Sequence, residues 1–166
     1  MTASSLSSRR GLGGFLALLG GVLMIVSAFL PWLGGGSASA TGWDVHQTLS
    51  DAGYNGFYEQ NFFAKEFSPF FSGLVAVIAG GLLVLMGLAM LASLRGGASS
   101  LPLLGKALLV TLALIIAVVG VTNLVSLYAR GPGADVVRPE YGLFVLTAAA
   151  VVGLLGVLAA LGGRRS

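Results

Sequence analysis

The chain contains no cysteine. That removes disulfides, thiolate nucleophiles and cysteine-held zinc or iron–sulfur centres. Charge is almost as scarce. Asp, Glu, Lys and Arg make up 9% of the 166 residues, against about 25% in a soluble domain. There is one histidine, His46. No nucleophile elbow, phosphate loop, zincin or dinucleotide fingerprint stands in a fitting context, so the sequence offers no catalytic residue, cofactor site or metal site. His46 with Asp44 and Asp51 has no regular ligand spacing. Basic residues are not clustered with aromatics on a polar face, so the net charge of +3 is not a nucleic-acid footprint.

What fills the chain is apolar. Hydrophobic residues account for 56%, and the mean hydropathy is +0.95. Four runs are long enough to cross a bilayer: Leu12–Leu33, Pro69–Leu94, Leu103–Ala129 and Tyr141–Leu161. A helix rises about 1.5 Å per residue and the hydrocarbon core is about 30 Å thick, so roughly 20 residues suffice. The runs are continuous rather than alternating, which selects helices over a barrel. The expected fold is an all-α integral membrane protein, a left-handed bundle of four transmembrane helices forming one domain over residues 1–166.

The few charges are segregated. All six acids lie in two polar stretches, Asp44, Asp51, Glu59 and Glu66 in the loop 34–68, and Asp135 and Glu140 in the loop 130–140. The opposite ends of the runs carry Arg9, Arg10, Arg95, Lys106, Arg164 and Arg165, with no acid among them. The positive-inside rule then places both termini and the 95–102 turn in the cytoplasm, and both loops outside. A competing reading of the N-terminus is a cleaved signal peptide, with Ala38-Ser39-Ala40 as the processing site. The apolar run before it is longer than a signal h-region, which spans about 7–15 residues.

Small residues recur every seven positions: Gly14, Gly21 and Ala28; Gly73, Gly80 and Gly87; Gly142, Ala149 and Gly156. Such a period keeps one stripe facing a partner, and small residues let helix backbones approach closely in lipid. These positions are therefore the expected helix-packing sites. No ionisable residue lies deep in a run; Lys106 is near an end and can snorkel. Ion-coupled transport normally needs intramembrane charge, so its absence argues against a pump. Asn123 is the most polar deep residue, suited to an interhelical hydrogen bond.

The first outer loop opens with a glycine–serine–alanine run, Gly34–Gly42, read as flexible. It then turns aromatic: Trp43, Tyr54, Phe57, Tyr58, Phe62, Phe63 and Phe67. Short helices are expected at Asp44–Ala52, stopped by Gly53, and at Phe57–Phe67, with Pro69 starting the second span. The aromatics fit a membrane interface, and they also fit a docking surface.

Cytoplasmic termini, a long first outer loop and a short second one resemble the claudin-like tetraspan topology. The claudin loop signature of tryptophans followed by two cysteines is missing, so the resemblance implies an architecture and no barrier function. The composition is similar to that of small integral membrane proteins of actinobacteria, which implies the bacterial inner membrane and no catalytic residues. The expected role is a non-catalytic accessory or scaffolding subunit of a larger inner-membrane complex. Its partners would be the lipid bilayer and other membrane-protein subunits. The alternative is a lipid-, quinone- or small-molecule-binding or transport protein acting as a homo-oligomer.

Overall fold

A computed structural model describes residues 3–35, 38–51, 72–95, 110–118, 121 and 138–161. The described chain is mostly helical. Helix α1 covers Ala3–Ser27, α2 Gly42–Asp51, α3 Gly73–Arg95 and α4 Tyr141–Leu161. Residues 110–118 are also helical. Strands β1 (Pro31–Gly35), β2 (Ala38–Thr41) and β3 (Arg138–Pro139) lie between them.

Among the described residues, three helical stretches are long and apolar enough to cross a membrane: Arg10–Ser27, Gly73–Leu94 and Tyr141–Leu161. Their outward faces carry large apolar side chains, among them Phe15, Leu85 and Leu155, each more than half exposed. Water would not tolerate so much exposed apolar surface, whereas lipid does. Ala113, Ile116 and Ala117, from the helical residues 110–118, are buried, and Ala113 and Ile116 belong to the same apolar core as the three long helices.

Helix α1 is the middle of the arrangement. It packs along most of its length against both α3 and α4, which touch each other far less. Leu83 of α3 reaches through the centre to α4, where a Cβ on Gly153 would meet its Cδ1 at 2.7 Å. Leu83, Leu143 and Val157 are fully buried there, with Met24, Met86 and Met90 filling the gaps between them.

The first span ends earlier than its hydropathy suggests. α1 stops at Ser27, and Pro31–Leu33 belong to β1. The backbone tightens through three successive i→i+3 bonds, from the amides of Ala28, Phe29 and Leu30, and Pro31 has no amide with which to continue. The run Gly34–Gly42, expected to be flexible, is also corrected. Its described residues form a hairpin with β1 and then the start of α2. Pro31 faces Thr41, Leu33 faces Ala40, Gly34 faces Ser39 and Gly35 faces Ala38. Trp32 is the extra residue in that register, a bulge that re-aims its side chain.

Residues 138–139 join the same sheet. β3 pairs antiparallel with the other edge of β1, Leu33 to Pro139 and Gly34 to Arg138, giving the order β2-β1-β3. The Glu140 amide adds a bond to the Trp32 carbonyl at 2.9 Å. The described residues of the two stretches, 31–35, 38–51 and 138–140, thus form one cap over one end of the helices.

Helix α2 starts two residues before the expected Asp44 because Thr41 caps it. Thr41 Oγ1 accepts from the Asp44 amide at 3.1 Å, and Asp44 Oδ2 accepts from the Thr41 amide at 2.8 Å. This reciprocal pair is a capping box. The described part of the second span starts at Gly73, and Pro69 lies outside the described residues. α4 coincides with its expected run, starting just after Pro139 and Glu140.

Candidate functional site: two glycine seams and a cap

The two consecutive glycine pairs of α1, Gly13-Gly14 and Gly20-Gly21, split between two partners. Gly14 and Gly21 face α3. A Cβ at Gly21 would lie 2.5 Å from the Gly80 carbonyl oxygen, and one at Gly80 would lie 2.6 Å from the Gly21 oxygen. One turn pair further along this antiparallel seam, a Cβ at Gly87 would lie 2.6 Å from the Leu18 amide nitrogen. Gly14 is looser, meeting the Leu91 side chain at 3.1 Å. Gly13 and Gly20 face α4. A Cβ at Gly13 would lie 2.6 Å from both the Gly156 oxygen and the Ala160 nitrogen. At Gly20 it would lie 2.7 Å from the Ala149 oxygen, and at Gly156 2.6 Å from the Ala17 nitrogen. No side chain fits at these places, so backbone meets backbone and weak Cα–H···O contacts become available.

The expected stripe residues divide accordingly. Gly14, Gly21, Gly80 and Gly87 form the α1–α3 seam, and Ala149 and Gly156 lie in the α1–α4 seam. Gly73 belongs to neither. It faces the first turn of α2, where its Cβ would lie 2.7 Å from the Trp43 nitrogen. Gly142 lies under the cap, with its Cβ position 2.6 Å from the Pro31 oxygen. Gly13, Gly20 and Gly153 are packing residues that a single seven-residue stripe does not reach. The doubled glycines were the available signal.

Trp32 is the centre of the cap. It is fully buried, and its indole N–H donates at 2.7 Å to the Ser27 carbonyl, which also accepts from the Leu30 amide at the end of α1. Two glycines make room for its ring. A Cβ at Gly42 would lie 2.5 Å from its Cε2, and one at Gly142 2.9 Å from its Cδ1. Hydropathy hides Trp32 inside an apolar run, and the Pro31-Trp32 pair was the only hint of a different role. Gly34 is likewise covered, by the carboxyl end of Glu140.

Of the loop aromatics, Trp43 is described, while Tyr54, Phe57, Tyr58, Phe62, Phe63 and Phe67 lie outside the described residues, as does Asn123. Trp43 is half-buried. Its amide donates to the Ala28 carbonyl at 2.8 Å, and its ring stacks on Phe29 at 5.7 Å and tilts against His46 at 5.3 Å. His46 is thus part of an aromatic group. Among the described residues no three His, Asp or Glu come together as metal ligands. Among the described residues, the buried His46 Nδ1 has no hydrogen-bond partner, and neither has the Ser72 hydroxyl.

Asp44, outside the membrane-spanning segments, has a displaced titration. The Thr41 amide, and then the Thr41 hydroxyl at 2.7 Å, hold its carboxyl below the usual value of 3.8. Both bonds favour the charged form.

The geometry provides close helix packing and a hydrogen-bonded cap. No protein-family model matches the chain, no curated protein matches its sequence, and no solved structure matches its fold.

Proposed function

We propose that this chain is a non-catalytic accessory or scaffolding subunit of a larger inner-membrane complex. In this reading it is a left-handed bundle of four spans, with the helical residues 110–118 lying in the third. Both termini are cytoplasmic and the cap faces outward, in the claudin-like order of a long and a short outer loop. The segregation of acids and bases supports that orientation.

One observation carries the scaffold reading. The glycines of both seams are used up within the chain, since α3 and α4 already occupy the close-approach faces of α1. Directed polar and aromatic groups are concentrated in the cap, around Trp43, Asp44 and His46. A partner that needs specific recognition finds it there, and the rest of the surface is left to lipid. The aromatic stretch Tyr54–Phe67 extends the same loop.

The test is a gentle-detergent pull-down of the tagged protein from native membranes, with quantitative mass spectrometry. One dominant complex at fixed stoichiometry is the expected result, lost when Tyr54–Phe67 is deleted. Retention of the complex without that stretch would remove the loop from the interface. Recovery of the protein alone, or only with itself, would replace the scaffold reading with the lipid-, quinone- or small-molecule-binding homo-oligomer.

A further inference from the structure

The outward apolar stripes of α1 and α4 each end in an aromatic ring at the cap. On α1 the stripe is Leu12, Phe15, Leu19, Val22 and Val26, and Phe29 continues it past the end of the helix. On α4 it runs back from Leu155 through Val151 and Phe144 to Tyr141. Phe29 and Tyr141 are each more than half exposed. Trp43, at the start of α2, stacks on Phe29 with the ring centroids 5.7 Å apart.

The three rings share one level. The Trp43 amide donates to the Ala28 carbonyl, and the Cβ position of Gly142, next to Tyr141, lies 2.8 Å from the Leu30 Cβ. The opposite level is marked by arginine. Arg10 and Arg95 flank the contact at which a Cβ on Gly11 would meet Leu94 at 3.5 Å. From Arg10 to Phe29, and from Tyr141 to Leu161, a helix rises about 30 Å, the thickness of the hydrocarbon core. At the aromatic level α2 has two unlike sides. Val45 packs against the apolar core, whereas Asp44, Gln47 and Thr48 are exposed.

We propose that the Phe29–Trp43 stack is a membrane-docking surface whose partner is the headgroup–acyl boundary of the bilayer, with Tyr141 at the same depth on α4. Continuity carries the assignment. The stack is the last part of a stripe that water does not tolerate and lipid does, so the lipid that covers Val22 and Val26 reaches Phe29 and the ring lying on it. The spacing agrees, because the arginines and the rings stand one hydrocarbon thickness apart. Indole and phenol rings suit that depth, with an apolar body and one polar tip. The cap therefore sits among the headgroups instead of standing clear in water. α2 has lipid on its Trp43 side and water on the face of Asp44, Gln47 and Thr48. This docking does not depend on the scaffold role, and it leaves the polar face of α2 open to a protein partner.

The experiment is tryptophan quenching on the full-length protein in phosphatidylcholine vesicles. The lipid carries bromine either close to the headgroup or near the end of the acyl chain, and iodide is the quencher in water. The chain has two tryptophans, and the fully buried Trp32 is the internal control. Trp32→Phe isolates the emission of Trp43, and the difference between wild type and Trp43→Phe reports the same signal without touching Trp32. The expected result is that Trp43 loses most of its emission to shallow bromine and less to deep bromine or iodide, while Trp32 keeps its emission throughout. Quenching by iodide alone would put the cap in water. Quenching by neither would mean that protein covers the ring, and stronger quenching by deep bromine would sink the cap into hydrocarbon. Each of these three outcomes overturns the proposal. Because the chain has no cysteine, Phe29→Cys and Gln47→Cys provide a second readout with a water-soluble maleimide. Gln47→Cys is expected to react and Phe29→Cys to lose that reaction in vesicles; equal labelling of the two would also overturn the proposal.

Discussion

The seams and the cap hold the molecule together by opposite means. Along the seams the decisive groups are absences. Gly13, Gly20, Gly21, Gly80, Gly87 and Gly156 matter because a Cβ there would strike backbone. In the cap the decisive groups are present and directional: an indole N–H on a carbonyl, a carboxylate on an amide, a proline that ends a helix. The difference follows from the solvent. In lipid no hydrophobic force drives helices together, so close fit has to supply the attraction. At the wet end backbone groups compete with water, so each needs a fixed partner.

That comparison is sharpened first by Trp32, which belongs to the cap but closes the end of the seams. Trp32→Ala is expected to destabilise the fold by about 3–5 kcal/mol, the range for truncating a large buried aromatic. Trp32→Phe retains most of the volume but loses the bond to Ser27 and is expected to cost about 1–2 kcal/mol. Unfolding in mixed micelles with increasing SDS would measure both. Equal stability of Trp32→Ala and wild type would mean that the cap merely sits on the bundle.

Gly21→Val comes next. Its added atoms have to push α3 away from α1, at a cost of about 2–3 kcal/mol. Gly81 is the control, because a Cβ there meets nothing within 4 Å. Gly81→Ala is expected to stabilise the helix by about 0.5–1 kcal/mol, through propensity alone. Similar losses from both substitutions would show that the glycines act through helix propensity, with no role for close approach.

The smallest effect lies in the capping box. Thr41→Ala is expected to cost about 1 kcal/mol. Because the folded carboxyl of Asp44 titrates below its ordinary value, its contribution is present above the unfolded value. It is lost as pH falls from about 4 downward through the folded value. The melting midpoint of the wild type is thus expected to fall more steeply below pH about 4 than that of Asp44→Asn. Parallel acid limbs in the two proteins would remove Asp44 from the cap's energetics.

The sequence was most readable where one force acts alone. α4 coincides with its apolar run because Pro139 ends the preceding strand and nothing apolar blurs its start. The end of α1 was obscured because Pro31, Trp32 and Leu33 are as apolar as a membrane span, and hydropathy does not separate lipid-facing residues from a buried plug. The hairpin was obscured for the opposite reason. Gly, Ser and Ala carry no alternating pattern, and pairing with residues 138–139 is a long-range event that no local propensity reports. The seven-residue glycine stripe was visible. The second stripe beside it was not separated, because a period locates one face of α1 and says nothing of how many neighbours that helix has. The capping box is spelled Thr41-x-x-Asp44, but the glycine-rich run that precedes it carries the signature of a flexible segment.

The pairing of β1 with β3 also sets an order of events. Protein synthesis runs from the N-terminus, and β1 is complete by residue 35. Its second neighbour arrives only with residues 138–139, immediately ahead of α4. Until then one edge of β1 and the carbonyl of Trp32 stay open to any other strand or quality-control factor. The clasp closes only once residues 138–139 have been made, and a chain cut short before them keeps an open edge on β1.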